Sequence, residues 1–166
     1  MRLKVLALIA GLALVTACES APDKGAAASG AGAATASSSS TSKVLAPAPG
    51  TQDDLVVNVG DRVFFDFDRY NLKPSARRIL EKQAVWLKKY SKVTITVQGH
   101  TDERGTREYN LALGDRRANS TKDYLISLGV SPNRIKTISY GKERPVALGS
   151  NEAAWAQNRR AVTVVN

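Results

Sequence analysis

Most of the side chains that could do chemistry in this 166-residue chain are gathered in two neighbouring stretches. Gly99-His100-Thr101-Asp102-Glu103-Arg104-Gly105 sets two acids, the only histidine and an arginine in a glycine-bounded loop. Tyr109-Asn110-Leu111-Ala112-Leu113-Gly114-Asp115-Arg116-Arg117-Ala118 follows with helical spacing. With Leu113 as zero at about 100° per residue, Arg117 falls at about 40°, between Tyr124 at about 20° and Leu128 at about 60°. Asn110 and Thr121 fall at about 60° and 80° on the same stripe, while Arg116 points away from it. An arginine on the core-facing stripe must find a partner, because an unpaired buried charge is very costly. The loop that leads into this helix supplies the nearest carboxylate, Asp102.

Two readings of that pair stand side by side. Asp102 and Arg117 could form a structural ion pair that pins the loop to the helix. They could instead line a pocket at the rim of a sheet and hold a ligand of both charges, the guanidinium taking a carboxylate and the aspartate an ammonium. Other chemistry is thin. One histidine excludes a histidine-based metal cluster, and His100 reads as a hydrogen-bonding residue at a strand end. Asp66, Asp68, Asp102 and Glu103 could supply the two carboxylates of a glycosidase, but acids are common in loops and no catalytic histidine system or metal set accompanies them. Gly99, Gly105, Gly114 and Gly141 form no phosphate-cradling motif. Arg159-Arg160 reads as a complement to a helix C-terminus rather than a nucleic-acid contact.

These residues need a scaffold, and the pattern outlines one. Val63 to Phe67 is alternating and aromatic, a predicted strand. Pro74 opens a helix in which Ala76, Leu80, Gln83, Leu87 and Tyr90 recur at three- and four-residue spacing, with Lys88 and Lys89 at its negative end. Val93, Ile95 and Val97 alternate with polar residues in a second strand ending at Gly99. A second helix runs from about Thr106 to Leu128, stopped by Gly129. Ile135 to Tyr140 is a third strand, Ser150 or Asn151 caps a short helix leading to Arg160, and Ala161 to Val165 is the last strand. Strands alternating with helices predict an α+β fold, an α/β sandwich with its helices on one sheet face.

The N-terminal third is different. Arg2 and Lys4 precede the uncharged apolar run Val5 to Val15, and small residues lead to Cys18, the only cysteine. That order reads as a secretory signal. Leu14-Val15-Thr16-Ala17-Cys18 resembles a bacterial lipobox, which implies a signal peptide over 1–17 and Cys18 carrying an S-diacylglycerol and an N-acyl chain. Three chains would make attachment effectively permanent, since each buried methylene is worth about 0.8 kcal/mol. From Gly25 to Ser42 every residue is Gly, Ala, Ser or Thr, too little apolar surface to offset the entropy of ordering. Residues 18–51 therefore read as a lipidated N-terminus and flexible tether, with an r.m.s. span of about 30–35 Å and a full extension of roughly 110 Å. Residues 52–166 read as one globular domain. Losing Arg2 and Lys4 with the leader brings the formal charge of +9 to +7. Export turns that basic character towards anionic lipid, lipopolysaccharide or cell wall rather than nucleic acid.

Several motifs in register carry a resemblance. They are Phe64-Phe65-Asp66-Phe67-Asp68-Arg69-Tyr70, Gly99 to Thr106, Glu108-Tyr109-Asn110, Leu113 to Asn119, Ser139 to Pro145 and Asn158-Arg159-Arg160-Ala161-Val162. With the lipobox and the small-residue linker in the same order, the chain resembles the peptidoglycan-associated lipoproteins of the Tol-Pal system, with an OmpA-like C-terminal domain. The resemblance implies a mixed four-stranded sheet and no enzymatic activity or cofactor. It implies non-covalent binding of peptidoglycan through the meso-diaminopimelate of the peptide stem, whose end group bears an ammonium and a carboxylate on one carbon. The family's pocket falls on Phe67, Asp68, Asp102, Asn110 and Arg117, with Arg104 and Leu113 as rim contributors. Outer-membrane lipid, TolB and TolA are the implied partners, and envelope integrity and constriction at division the implied roles. Glu19, rather than aspartate, after Cys18 favours the outer membrane. A wall-lytic enzyme, or an OmpA-domain lipoprotein outside the Tol system, are the alternatives.

Overall fold

The computed structural model describes residues 46–166; the leader, Cys18 and most of the tether lie outside the described residues. Helix α1 (Gln52–Asn58) opens the described part, capped by the Thr51 hydroxyl, which accepts from Asp54 N at 3.3 Å. The sequence pattern does not predict this element. Strand β1 (Arg62–Phe64), helix α2 (Pro74–Lys89), strand β2 (Ile95–His100) and helix α3 (Arg107–Ser127) follow. A 3₁₀ turn (Pro132–Arg134), strand β3 (Ile135–Gly141), helix α4 (Glu152–Asn158) and strand β4 (Arg160–Val165) complete it. The expected α+β fold is the observed one. The sheet order is β1-β4-β2-β3, with β4 antiparallel to both its neighbours and β2 parallel to β3.

Strand alternation sends Val63, Ala161, Val97, Ile95 and Ile135 to the face covered by α2 and α3, where each is nearly sealed from solvent. Leu80 and Leu87 of α2 and Leu125 of α3 meet them there, fully buried. Each such side chain contributes about 1.5–3 kcal/mol. Gln83 and Thr163 are satisfied inside this core. Thr163 Oγ1 donates to Gln83 Oε1 at 2.9 Å, and Gln83 Nε2 donates to Gly60 O at 2.7 Å. The opposite sheet face leaves Phe64 and Ile138 exposed.

Two corrections to the sequence reading bear on the site. The strand expected over Val63–Phe67 pairs only as Arg62–Phe64. Phe65 N still reaches Arg159 O at 2.9 Å, but beyond it the Asp66 and Arg69 carbonyls accept from a guanidinium instead of a neighbouring strand. The second strand runs one residue past Gly99, to His100. Gly99 is there for close approach. A Cβ on it would collide with the Gly114 carbonyl, and one on Gly114 with Ser139 Oγ. The two glycines let α3 settle onto β2 and β3, which carries Arg117 down to the end of the sheet.

Candidate functional site

Three segments converge at the C-terminal end of β2. The loop after β1 brings Phe67 and Asp68. Asp68 sits at φ 53°, a left-handed conformation that Asp tolerates better than most residues, and its carboxylate accepts from the Tyr109 hydroxyl. The loop after β2 brings Thr101, Asp102 and Arg104. The start of α3, capped by Thr106 Oγ1 on Tyr109 N at 3.2 Å, brings Asn110, Leu113 and Arg117. Together they line a cavity of about 210 Å³. All five residues expected to form a site border it, and so do both expected rim residues, Arg104 and Leu113.

Arg117 is fully buried, yet no carboxylate lies within salt-bridge distance of it among the described residues. Its Nε donates to Arg69 O at 2.8 Å, Nη1 to His100 O at 2.8 Å and Nη2 to Asp66 O at 3.1 Å. Phe65 lies under the guanidinium, 5.1 Å from ring centre to Cζ. Burial lowers its pKa to about 10, which leaves it charged at neutral pH. The structural ion pair with Asp102 is therefore not what the fold builds. Arg117 holds three backbone carbonyls, two from the loop after β1 and one from the end of β2, and Asp102 borders the same cavity.

Asp102 is 4% exposed and pairs with two other arginines. Arg104 Nη2 lies 2.6 Å from Oδ2 and Arg104 N donates to Oδ1 at 3.2 Å, while Arg159 Nη1 reaches Oδ2 at 3.4 Å. Burial pushes this carboxyl up, but bonds from Arg104 and then Arg159 outweigh it and hold it below the usual carboxylate range. Such a group cannot serve as a general acid near pH 7. Arg104 roofs the aspartate, its Cζ lying 4.0 Å from the Phe67 ring and 4.1 Å from the Trp155 ring. Asn110 donates from Nδ2 to Arg104 O at 2.8 Å and to Thr106 O at 3.0 Å. That tie holds the loop closed and leaves its Oδ1 as the atom a ligand could use.

Arg159 is the participant that sequence reasoning missed. It is not a helix-end complement. It points inward, 5% exposed, donating to Phe65 O at 3.1 Å and to Glu152 Oε1 at 2.5 Å as well as to Asp102. Its neighbour Arg160 does keep the expected role, donating to Asn158 O at the end of α4 at 3.3 Å. A signal for Arg159 existed, since it shares the strand parity of the inward-facing Ala161 and Thr163. His100 also differs from expectation. It lies outside this cavity, 2% exposed, with neither ring nitrogen bonded among the described residues. It stacks on Tyr140 at 5.5 Å, and burial, then the charges of Arg160 and Arg144, push it down to about 4.

A cavity bordered by Asp68, Asp102 and a buried guanidinium suits a small zwitterion. Among the described residues no cluster of His, Cys, Asp or Glu could hold a metal ion, and no helix is long and apolar enough to cross a membrane. The OmpA family model matches residues 64–159, a span that includes every residue of the site. The chain is 59% identical over 120 residues to the peptidoglycan-associated lipoprotein of Rhizobium meliloti, covering 72% of this chain and 68% of that protein. It is 58% identical over 121 residues to that of Brucella melitensis, covering 73% and 72%. The chain belongs to the peptidoglycan-associated lipoproteins of the OmpA family. The crystal structure of the Burkholderia pseudomallei member superposes with a TM-score of 0.62 at 48% identity, over 64% of this chain and 90% of that one. The C-terminal domain of Helicobacter pylori MotB does so with 0.60 at 25%, over 64% and 84%. Proteins of this family are structural binding proteins, not enzymes.

Proposed function

We propose that this chain is an outer-membrane lipoprotein that grips peptidoglycan non-covalently through the diaminopimelate of its peptide stem. The observation that carries the reading is the cavity bordered by Asp102, Arg117 and Asp68, in which Asp102 and Arg117 form no ion pair with each other. The end group of diaminopimelate bears an ammonium and a carboxylate on one carbon. Asp102 and Asp68 complement the ammonium. Of the five guanidinium N–H groups of Arg117, three hold carbonyls, which leaves two for the carboxylate. Family membership supports the same ligand, since the named relatives are peptidoglycan-associated lipoproteins.

Under this reading Cys18, acylated at S and N, holds the outer membrane, residues 18–51 act as a leash, and the domain holds the wall. TolB and TolA are the proposed protein partners, and envelope integrity and membrane constriction at division the proposed roles. Co-sedimentation with purified sacculi tests the central claim. Wild type pellets with them, Asp102→Asn stays largely in solution, and no muropeptides are released. Released muropeptides would mean hydrolysis instead. Capture of TolB separates a Tol-system protein from another OmpA-domain lipoprotein. Cys18→Ser should move the protein from the detergent-dependent membrane fraction to the soluble periplasm or leave it unprocessed.

A further inference from the structure

Helix α2 carries a basic outer stripe that the pocket does not use. With Val85 as zero, Arg78 lies at about 20°, Lys89 at about 40° and Lys82 at about 60° around the helix. All four are exposed, Val85 at 70%, and none of the three cations is in a salt bridge among the described residues. The one acid of α2, Glu81, falls on the other side of Val85 and accepts from Tyr124 of α3 at 3.0 Å. The stripe is thus purely cationic, about 16 Å long from Arg78 to Lys89, with an apolar side chain in its middle.

Helix α1 adds apolar surface. Its Asp54 accepts from buried Trp86 Nε1 of α2 at 2.9 Å, and Gly60 O, just past α1, accepts from buried Gln83 Nε2 at 2.7 Å. Helix α1 exposes Val56 (43%) and Val57 (66%), with Asp53 its exposed acid. Cationic side chains interspersed with exposed apolar ones are the composition of a surface that lies on headgroups.

Position points the same way. The chain enters the domain at Gly50, which lies against the Tyr90 ring at the C-terminal end of α2. The other end of α2 is beside the pocket, where Lys73 pairs with Asp66 at 2.6 Å. A 16-residue helix puts about 24 Å between these two ends. A surface reached from the entry point can therefore hold α2 along its length while the pocket remains open.

We propose that the outer face of α2, with the exposed valines of α1, docks on the anionic phospholipid surface of the membrane to which the chain is tethered. This rests on the reading of the protein as membrane-anchored. Neutral lipid offers the stripe no countercharge, whereas each basic side chain near an anionic surface is worth about 1 kcal/mol, roughly fivefold in partitioning. Docking holds the domain flat against the membrane when no wall is within reach.

Residues 46–166 enclose their own core and form a single compact unit, so the unlipidated domain is the reagent. Its partitioning is measured on phosphatidylcholine vesicles and on vesicles with about one third phosphatidylglycerol. The domain should sediment with the anionic vesicles only and be released by high salt. Arg78→Gln, Lys82→Gln and Lys89→Gln together should lower partitioning on the order of a hundredfold, because Gln keeps helix propensity while removing charge. Arg107→Gln, Arg116→Gln and Lys122→Gln, an equal change of net charge on α3, should lower it far less. Equal binding to neutral and anionic vesicles overturns the proposal, and so does equal loss in the two triple variants. Sacculus sedimentation of the α2 variant is run in parallel and should match wild type. If wild type binds vesicles but not sacculi, the wall reading fails and this one stands.

Discussion

Two buried aspartates at opposite ends of the domain show what separates a structural acid from a binding one. Asp54, 7% exposed, accepts from Gly50 N at 2.8 Å, Asn58 Nδ2 at 2.7 Å and Trp86 Nε1 at 2.9 Å. Those bonds, the one from Gly50 foremost, hold its pKa at about 2. Every donor is neutral and close in sequence or locked in the core, and the group ties α1 to α2. Asp102 is equally buried, but its partners are the guanidiniums of Arg104 and Arg159, and it borders a cavity. Neutral donors complete a carboxylate where it sits. A partly exposed arginine beside an open volume leaves charge that an incoming ammonium can compete for.

That comparison can be broken at several points. Arg117→Ala should have the largest effect, about 3–5 kcal/mol of stability lost, because three carbonyls lose one donor in a sealed site. Urea denaturation measures it, and an unchanged midpoint would mean those carbonyls are held by something else. Asp102→Asn should instead act mainly on binding, at a cost on the order of 2–5 kcal/mol, roughly thirtyfold to several-thousandfold in affinity for sacculi. Arg116→Ala, on the solvent side of the same helix, is its control and should leave both readouts within about 0.5 kcal/mol. A folded Asp102→Asn domain that still pellets like wild type removes Asp102 from the site.

His100 sharpens the contrast, since it is buried without either kind of partner. Its folded pKa of about 4 lies below the ordinary value near 6.5. On acidification the unfolded chain takes up the proton first, so stability present above pH 6.5 drains away as pH falls towards 4. His100→Phe should therefore lose about 2–3 kcal/mol less than wild type between pH 7 and 4.5, read from denaturation at each pH. Equal losses would show that the imidazole is not held neutral. Controls aside, the smallest loss is expected at the structural acid. Asp54→Ala should cost about 1–3 kcal/mol of stability and leave sacculus binding untouched; reduced binding there would dissolve the distinction between the two aspartates.

How far the sequence alone reached depended on the range of the interactions involved. Periodicity and capping are local, so the helix opening at Pro74 and periodic to Tyr90 is found as Pro74–Lys89 with Tyr90 its cap, and α3 lies within its caps, Thr106 and Leu128. Likewise the angular position of Arg117 follows from helix geometry alone, and with it the certainty that this guanidinium turns inward. What it bonds to does not follow. Three carbonyls, two from the loop after β1 and one from the end of β2, meet it only because Gly99 and Gly114 let α3 close onto the sheet. Helix α1 escaped notice although Thr51 could cap it and two acids open it, because seven residues are too few to establish a period. Arg159 was legible by strand parity and hidden by its place after a helix. Its pairing with Asp102, across 57 residues, was decided by tertiary structure alone. Sequence dictates which side chains must leave water; only the folded chain dictates which partners are there to meet them.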